Sequence, residues 1–422
     1  MSEPNNKTGA LSGLVVLDLS RILAGPTCTQ ILGDLGAEVI KIERPGRGDD
    51  TRGWGPPFLK DEAGRETLES AYYLSSNRNK ASVAIDLASA EGQKLIVELA
   101  KKADILVENF KVGDLKRRGL DYDSLKAANP GLIYCSISGF GQTGPYAHRA
   151  GYDFLIQGMG GIMSLTGFPD DEGGTETKAG VGIADVMCGM YATVSILAAL
   201  NHRHRTGEGQ YIDISLLDAQ VSWLINQGVA YLVSGEVPGR LGNGHPTIVP
   251  YETFPASDCS FILAVGNDSQ FRKFCTVAGA SELAEDPRFA KNADRVRNRK
   301  ELVPIIRRLT IEKSADAWID LLEREGVPCG PVNDLAQVFA DPQILARHMK
   351  ITMDHPQGGT VDLIGSPINL SKTPVAYAKA PPKLGADTET VLSSHLGLSR
   401  AELKKLAEQG IVQLAKAEDK KQ

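Results

Sequence analysis

Residues 14–43, LVVLDLSRILAGPTCTQILGDLGAEVIKIE, decide the fold class of this chain. The apolar run from Leu14 to Leu19 predicts a β-strand, and Glu38 to Glu43 predicts a second one. Between them, Pro26 is suited to the first turn of a helix and Gly36 to the position just after its last turn. A strand, a helix and a strand in this order predict a β-α-β unit with parallel strands.

The same alternation continues outward from this unit. Ser89 is a candidate N-cap for a helix that reaches about Lys102, and the runs 104–108 and 132–138 predict further strands. Several β-α-β units in series predict an α/β fold with a doubly wound, Rossmann-like parallel sheet. Pro- and Gly-rich sequence between residues 235 and 255 interrupts the alternation, and we expect a smaller α+β domain after it.

Composition and charge exclude several classes of protein. The 422 residues are 42% hydrophobic and 23% charged, which suits a globular protein of two or three domains. The net charge of -6 argues against nucleic acid as the main partner.

The most apolar run, residues 186–200, is shorter than the roughly 20 residues that span a bilayer, so we expect no membrane span. The N-terminal ten residues lack the apolar core of a secretory signal, which favours a cytoplasmic location.

A nearly all-apolar stretch follows Asp185 and predicts a helix to about His202. No polar stripe interrupts this stretch, so we expect the helix to be buried on most sides. Asp185 itself has two interpretations. As a structural residue it is an N-cap that accepts hydrogen bonds from free backbone N–H groups. As a functional residue it is a nucleophile at a helix N-terminus, where the flanking Gly180 and Gly182 let a bulky substrate approach.

Basic residues collect where two predicted strands end. Because ligands bind at the carboxyl ends of the strands in a doubly wound sheet, these loops could hold phosphates in an otherwise acidic protein. Solvated surface charge explains the same residues equally well. The first turn carries no G-x-G-x-x-G pattern, which disfavours a nicotinamide or flavin enzyme. The cations are Arg44, Arg47 and Arg52 after one strand, and Lys111, Lys116, Arg117 and Arg118 after another.

The loop GRLGNGHPTIVPY, residues 239–251, is a candidate substrate loop. Its residues Gly242, Asn243, Gly244 and His245 could close over a reacting carbonyl through backbone amides, although a plain inter-domain turn has the same composition. The seven histidines form no H-E-x-x-H pattern, and the six cysteines form no C-x-x-C pair. We therefore expect neither a metal site nor a disulfide framework.

Four longer motifs are specific enough to compare with known families: LDLSRILAGP (17–26), ADILVENF (103–110), RAGYDF (149–154) and RTGEGQYIDISLLDAQ (205–220). Together they resemble the class III, or CaiB/BaiF-type, CoA-transferases, and the resemblance runs from about Leu11 to Thr373. The segments GDDTRGWGPPF (48–58) and GVPCGPVN (326–333) are most similar to the succinyl-CoA-dependent dicarboxylate branch, which includes succinate-hydroxymethylglutarate CoA-transferase.

The resemblance implies an enzyme that moves CoA from an acyl-CoA donor, succinyl-CoA in this branch, to a free dicarboxylic acid. It makes Asp185, in GIADVMCGMYA, the nucleophile that attacks the donor thioester and becomes an aspartyl-CoA thioester. The acceptor carboxylate then repeats these steps in reverse. No permanently bound cofactor or metal takes part, because the coenzyme A thioester is itself the substrate.

The resemblance also implies binding residues, carried over position by position. Arg44 and the Asn109-Phe110 pair flank the CoA adenosine, and Arg117 meets a phosphate. Arg21 lies near the thioester end, where formyl-CoA transferases carry a histidine. A guanidinium there can hold the second carboxylate of a dicarboxylic acyl group in a bidentate pair, which favours succinyl-like over formyl substrates.

Two other activities of the same fold and one non-catalytic role are alternatives. A 2-methylacyl-CoA racemase or epimerase carries a Gly-His-Asp segment where this chain has Gly151, Tyr152 and Asp153. A tyrosine with an ordinary pKa of about 10 is a poor base, so this activity ranks second. Formyl-CoA:oxalate transfer is a further alternative. A non-catalytic CoA-binding regulator is disfavoured because Asp185 is intact.

The family fold implies a homodimer of two interlocked rings. Each chain then has a large Rossmann-like domain whose first part is residues 11–206, a small α+β domain at residues 228–329, and a return segment at residues 330–410 that completes the large domain. A dimer threaded in this way has no folded monomer, so folding and association are inseparable.

Overall fold

The computed structural model describes residues 9–415. Within them the strands are β1 (Val15–Asp18), β2 (Glu38–Glu43), β3 (Phe58–Lys60), β4 (Glu66–Ser70), β5 (Lys80–Ile85), β6 (Ile105–Glu108), β7 (Ile133–Ser138), β8 (Tyr211–Ser215), β9 (Tyr251–Pro255), β10 (Ser260–Ala264), β11 (Cys329–Pro331), β12 (Lys350–His355), β13 (Gly359–Ile364) and β14 (Val412–Gln413). The helices are α1 (Ala24–Asp34), α2 (Ala71–Leu74), α3 (Ala90–Ala100), α4 (Tyr122–Lys126), α5 (Asp153–Met159), α6 (Ile162–Leu165), α7 (Ile183–Thr206), α8 (Leu216–Ser222), α9 (Ile225–Ser234), α10 (Asp268–Val277), α11 (Glu282–Glu285), α12 (Asn292–Arg297), α13 (Arg299–Thr310), α14 (Ala315–Arg324), α15 (Leu335–Ala340), α16 (Pro342–Ala346), α17 (Thr388–Leu396) and α18 (Arg400–Glu408).

Seven strands form the central sheet, in the order β14-β5-β2-β1-β6-β7-β8. Six of them run parallel, and β14 pairs antiparallel with β5 at one edge. Counted along the chain, the parallel strands lie in the order 3-2-1-4-5-6, so the direction of winding reverses between β1 and β6. In open α/β sheets, ligands bind at such a reversal, outside the carboxyl ends of the strands.

Apolar cores cover both faces of this sheet. Val16 of β1 belongs to a core shared with α1 and α7, and its neighbour Leu17 belongs to a core shared with α3 and α17. Successive strand residues point to opposite faces, so a strand covered on both faces must be apolar at almost every position. This requirement explains the continuous apolar runs in the sequence.

Helix α7 differs from its prediction in length and in burial. It begins before Asp185 and continues beyond His202, over 24 residues. One of its faces packs on α1, but four large apolar side chains on another face are exposed: Met190, Tyr191, Val194 and Leu197. Within residues 9–415, α7 alone is long and apolar enough to meet a criterion for crossing a membrane, a test that buried core helices also pass.

The chain divides into two compact units. The first contains the central sheet and comprises the residues up to Gly160, Gly180–Ile225 and the residues from Gln343 onward; the second comprises Gly161–Ala179 and Asn226–Pro342. The second unit contains the antiparallel sheet β11-β10-β9, whose core includes Phe261 and Trp318. It also includes residues 161–179, which precede the predicted small domain.

Candidate active site

Asp185 lies in the first turn of α7. Burial raises the pKa of its carboxyl group to about 7, and the negative charge of Asp153 contributes to the rise. A helix N-terminus alone stabilises a carboxylate and would lower this pKa, so loss of solvent outweighs the helix dipole here. Asp185 is therefore an acid that ionises near neutral pH.

The interpretation of Asp185 as an N-cap is wrong. The N-cap of α7 is Gly182, and the side chain that caps the helix comes from Asp153 of α5. The Asp153 Oδ2 atom accepts hydrogen bonds from the backbone N–H of Ala184 at 2.8 Å and of Asp185 at 3.2 Å. Gln157 donates to the Oδ1 atom of Asp153 at 2.5 Å. Because Asp153 satisfies the helix, the carboxylate of Asp185 is available for chemistry.

A cleft of about 560 Å³ contains Asp185 and lies where the winding of the sheet reverses. The loops that follow β1 and β6 line it and are tied together. The backbone N–H of Arg21 donates to Asn109 Oδ1 at 2.9 Å, and Asn109 Nδ2 donates to the carbonyl of Arg21 at 2.7 Å. The Arg21 guanidinium lies 5.6 Å from the centre of the Phe110 ring. The structure thus brings four of the predicted site residues together: Arg21, Asn109, Phe110 and Asp185.

Buried charges hold the loop that carries Arg21. Ile22 has φ of 73°, a costly conformation for a β-branched residue, and both carboxylate oxygens of Asp49 lie 3.3 Å from its backbone nitrogen. Lys41 donates to Asp49 Oδ2 at 2.9 Å and to the carbonyl of Ser20 at 2.9 Å. Burial opposes ionisation of Asp49, but the charge of Lys41 prevails and lowers its pKa to about 2. A permanent buried ion pair thus fixes the residues on both sides of Arg21.

Arg21 has an acidic partner inside the cleft. Its Nη1 atom lies 2.6 Å from Asp50 Oδ2, and Arg47 lies 3.6 Å from the other oxygen of Asp50. The Arg21 side chain is 46% exposed. The Asp50 carboxylate therefore already neutralises part of the positive charge of Arg21, the charge that the sequence resemblance assigned to a substrate carboxylate.

Tyr72 lies next to the cleft, and the sequence did not indicate it. Burial raises the pKa of its hydroxyl to about 12, and the charges of Asp185, Asp153 and Asp49 contribute. Trp54, which lines the cleft, meets the Tyr72 ring edge-on at 5.1 Å. Tyr72 therefore stays protonated at neutral pH and can donate a hydrogen bond. Nothing in the local sequence SAYYL marks it, because its role depends on carboxylates that are distant in sequence.

Two predicted cations lie outside the residues that line the cleft. Arg44 follows β2, and its side chain is exposed. Arg117 is also exposed and forms an ion pair with Asp114, which does line the cleft. The ion pair with Asp114 thus holds Arg117 next to a residue that lines the cleft.

The predicted substrate loop belongs to the second unit. Gly242 has φ of 59° and donates its N–H to the carbonyl of Gly167, and Asn243 Nδ2 donates to Thr253 Oγ1 at 2.9 Å. The ring of His245 lies 5.2 Å from that of Tyr251. The positive φ explains the glycine at position 242, since other residues rarely adopt it.

Candidate metal ligands are dispersed. In the described part of the chain, no group of three or more His, Cys, Asp or Glu side chains is placed to hold a metal ion. The six cysteines, which all lie in this part, are free thiols.

Known proteins resemble the chain over nearly its whole length. Residues 11–388 match the model of CoA-transferase family III. A succinate–glutarate CoA-transferase of Agrobacterium fabrum is 47% identical over 93% of this chain and 97% of its own length, and a succinyl-CoA:glutarate CoA-transferase of Mus musculus is 41% identical over 96% and 90%. The crystal structure of a CAIB/BAIF family protein from Brucella suis has a TM-score of 0.82 and 49% identity, covering 92% of this chain and all of that one. The chain is a CoA-transferase and belongs to CoA-transferase family III.

Proposed function

We propose that this enzyme transfers CoA from succinyl-CoA to a dicarboxylic acid, with glutarate as the leading acceptor, through an aspartyl-CoA thioester on Asp185. The observation that carries the proposal is a desolvated carboxylate at a helix N-terminus, inside a cleft at the carboxyl ends of the strands. The two curated relatives named above, which transfer CoA between succinate and glutarate by name, support the choice of acids.

The first half of the reaction loads CoA onto the enzyme. The Asp185 carboxylate attacks the thioester carbonyl of succinyl-CoA, the C–S bond breaks, and a mixed anhydride and a CoA thiolate form. The thiolate then attacks the aspartyl carbonyl of the anhydride, which gives an aspartyl-CoA thioester and releases succinate. No proton is gained or lost in these two exchanges.

The second half repeats these exchanges with the acceptor. A carboxylate of glutarate attacks the aspartyl-CoA thioester, CoA thiolate leaves, and the thiolate then attacks the glutaryl carbonyl of the new anhydride. Glutaryl-CoA forms and the Asp185 carboxylate is regenerated. Water must be kept from the anhydride and thioester stages, and the desolvation that raises the pKa of Asp185 is consistent with a site that excludes it.

The proposal assigns the remaining site residues to CoA and to closure of the site. The cleft of Asp185 is also lined by Arg21, Asn109 and Phe110. In the proposal, Arg21 contacts the thioester end of CoA, and the Asn109-Phe110 pair flanks the adenosine. Arg44 and Arg117 meet the adenosine and a phosphate. The loop Gly242, Asn243, Gly244 and His245 supplies backbone amides to the reacting carbonyl.

The proposal also includes a Rossmann-like large domain, a homodimer and a cytoplasmic location. The strand order 3-2-1-4-5-6 supports the Rossmann-like description. The exposed apolar face of α7 supports association with a second copy, since soluble monomers rarely expose such a patch.

Incubation with succinyl-CoA and a panel of acids tests the proposed reaction. We expect glutaryl-CoA by mass spectrometry when glutarate is the acceptor, and no acyl-CoA product with Asp185→Asn. Hydroxylamine should trap the wild-type enzyme as a hydroxamate at Asp185 after succinyl-CoA alone is added. Transfer that persists in Asp185→Asn would exclude Asp185 as the nucleophile, and transfer only from formyl-CoA to oxalate would replace the proposed substrates.

A further inference from the structure

We propose that Arg149, rather than Arg21, holds the free carboxylate of the dicarboxylic acyl group and so sets the preference for dicarboxylates. The inference rests on the proposed function, because it takes the acyl chain to lie in the cleft of Asp185. Arg149 comes from the motif RAGYDF, and its side chain lines that cleft.

Arg149 is a positioned cation that has no acidic partner in the described part of the chain. Its guanidinium carbon lies 5.1 Å from the centre of the Phe140 ring and 4.7 Å from that of Tyr146. Between Arg149 and the carboxylates of residues 9–415 there is no salt bridge; its polar contact is a long one, Nη2 to the sulfur of Met159 at 4.0 Å. Two aromatic faces therefore orient the planar group while its N–H donors remain free for an anion.

Arg21 is less suited to this task than its position in the motif implies. Asp50 Oδ2 lies 2.6 Å from Arg21 Nη1, and Arg47 shares the same carboxylate. A substrate carboxylate that approaches Arg21 must displace Asp50 or lie beside it, and like charges so placed repel each other. Binding at Arg149 requires neither step.

Lys111 is the other cation that lines the cleft without a salt bridge to any described carboxylate. It is exposed and follows Phe110, in a basic loop for which the sequence left phosphate binding and solvated surface charge as alternatives. A lysine is a flexible point charge that suits a phosphate, whereas a planar guanidinium matches a carboxylate with two parallel hydrogen bonds. The chemistry of the two side chains thus separates a phosphate position from a carboxylate position.

The chain also keeps Arg149 close to the nucleophile. Arg149 precedes Asp153 by four residues, a span of at most about 14 Å, and Asp153 bonds the backbone of Asp185. A glutaryl or succinyl group carries its free carboxylate only a few carbons from the reacting carbonyl. The phosphates of CoA lie beyond the whole pantetheine arm. An unpaired guanidinium near Asp185 therefore fits the acyl carboxylate better than a phosphate.

Binding of three ligands tests the assignment without relying on turnover. Dissociation constants of glutaryl-CoA, pentanoyl-CoA and free CoA are measured with Asp185→Asn protein, in which no acyl transfer to the enzyme occurs. We expect Arg149→Ala in this protein to weaken glutaryl-CoA binding by about 10- to 100-fold. Pentanoyl-CoA, which has the same chain length without the carboxylate, and free CoA should bind as before. Arg65→Ala is the matched control, because Arg65 is an exposed arginine on the β3–β4 hairpin.

Other results would overturn the inference. Equal weakening of all three ligands would place Arg149 against CoA itself, and unchanged glutaryl-CoA binding would remove it from the acyl site. A preference for glutaryl-CoA that disappears in Arg21→Ala and persists in Arg149→Ala would return the role to Arg21. Failure of the parent protein to bind any of the three ligands would instead contradict the proposed function, and the inference with it.

Discussion

Two carboxylates meet at the first turn of α7 and have different tasks. Asp153 accepts hydrogen bonds from the first backbone N–H groups of the helix. The carboxyl group of Asp185 does not cap the helix, and its pKa is raised to about 7. The sequence could place Asp185 at a helix start, because an aspartate before an apolar run is a local signal. It could not reveal Asp153 as the cap, since the two residues are 32 positions apart and meet only in the folded chain.

The pair predicts a specific pH dependence. Asp185 must be ionised to attack, so kcat/KM for succinyl-CoA should rise with pH and reach half its maximum at about pH 7. Asp153→Asn keeps an oxygen that accepts both N–H groups but removes the charge that disfavours ionisation of Asp185. The midpoint should therefore move to lower pH. It should stay above the ordinary aspartate value, because desolvation is the larger cause.

A pH–rate profile from pH 5 to 9 measures this shift. Asp114→Asn is the control, because Asp114 lines the same cleft but does not contribute to the raised pKa of Asp185. A profile whose midpoint is the same in wild type and Asp153→Asn would show that Asp153 does not act on the ionisation of Asp185.

The helices and strands whose bounds are marked by their own local sequence could be predicted. Strand β2 has the predicted bounds, and Ser89 caps α3 by accepting the N–H of Gly92. Strand β14 was not predicted, because two residues near the C-terminus gain strand structure only by pairing with β5. The burial of α7 was predicted wrongly, since an all-apolar sequence does not distinguish a helix buried within one chain from a helix that covers another surface.

The close contact between α1 and α7 predicts that one methyl group added at Gly189 lowers the free energy of unfolding. A Cβ atom at Gly189 would lie 2.5 Å from the backbone oxygen of Ala24 and 3.1 Å from Thr27 Cβ. Alanine favours a helix over glycine by about 1 kcal/mol, but overpacking a close backbone contact costs about 1–3 kcal/mol. We expect Gly189→Ala to lower the free energy of unfolding by about 1 kcal/mol.

Thermal or urea unfolding at fixed protein concentration measures this loss. Gly330→Ala, in strand β11, is the control for an added methyl group, because no atom lies within 4 Å of a Cβ built there. A Gly189→Ala protein as stable as wild type would mean that the overpacking between α1 and α7 costs no more than the roughly 1 kcal/mol that alanine gains in helix propensity.

At the scale of the whole molecule, the exposed face of α7 is the feature that one chain leaves unexplained. Val194 is 61% exposed, and Met190, Tyr191 and Leu197 lie on the same face. The family resemblance of the sequence predicts an interlocked dimer. The face itself could not be predicted, because helical periodicity shows that α7 is apolar all round but not which side lacks a partner.

The exposed face of α7 leads to a prediction that one charged residue placed in it dissociates the dimer. If α7 packs against a second copy, Val194→Asp buries an unpaired carboxylate in the interface, which costs several kcal/mol. Since association and folding are coupled in the proposed dimer, the variant should lose the dimer and its thermal stability together. Sedimentation at micromolar concentration, with melting on the same samples, measures both. Lys94→Asp, on the exposed side of α3, should leave both unchanged. A Val194→Asp protein with the mass and melting temperature of a wild-type dimer would exclude this face from the interface, and a monomeric wild type would exclude the dimer.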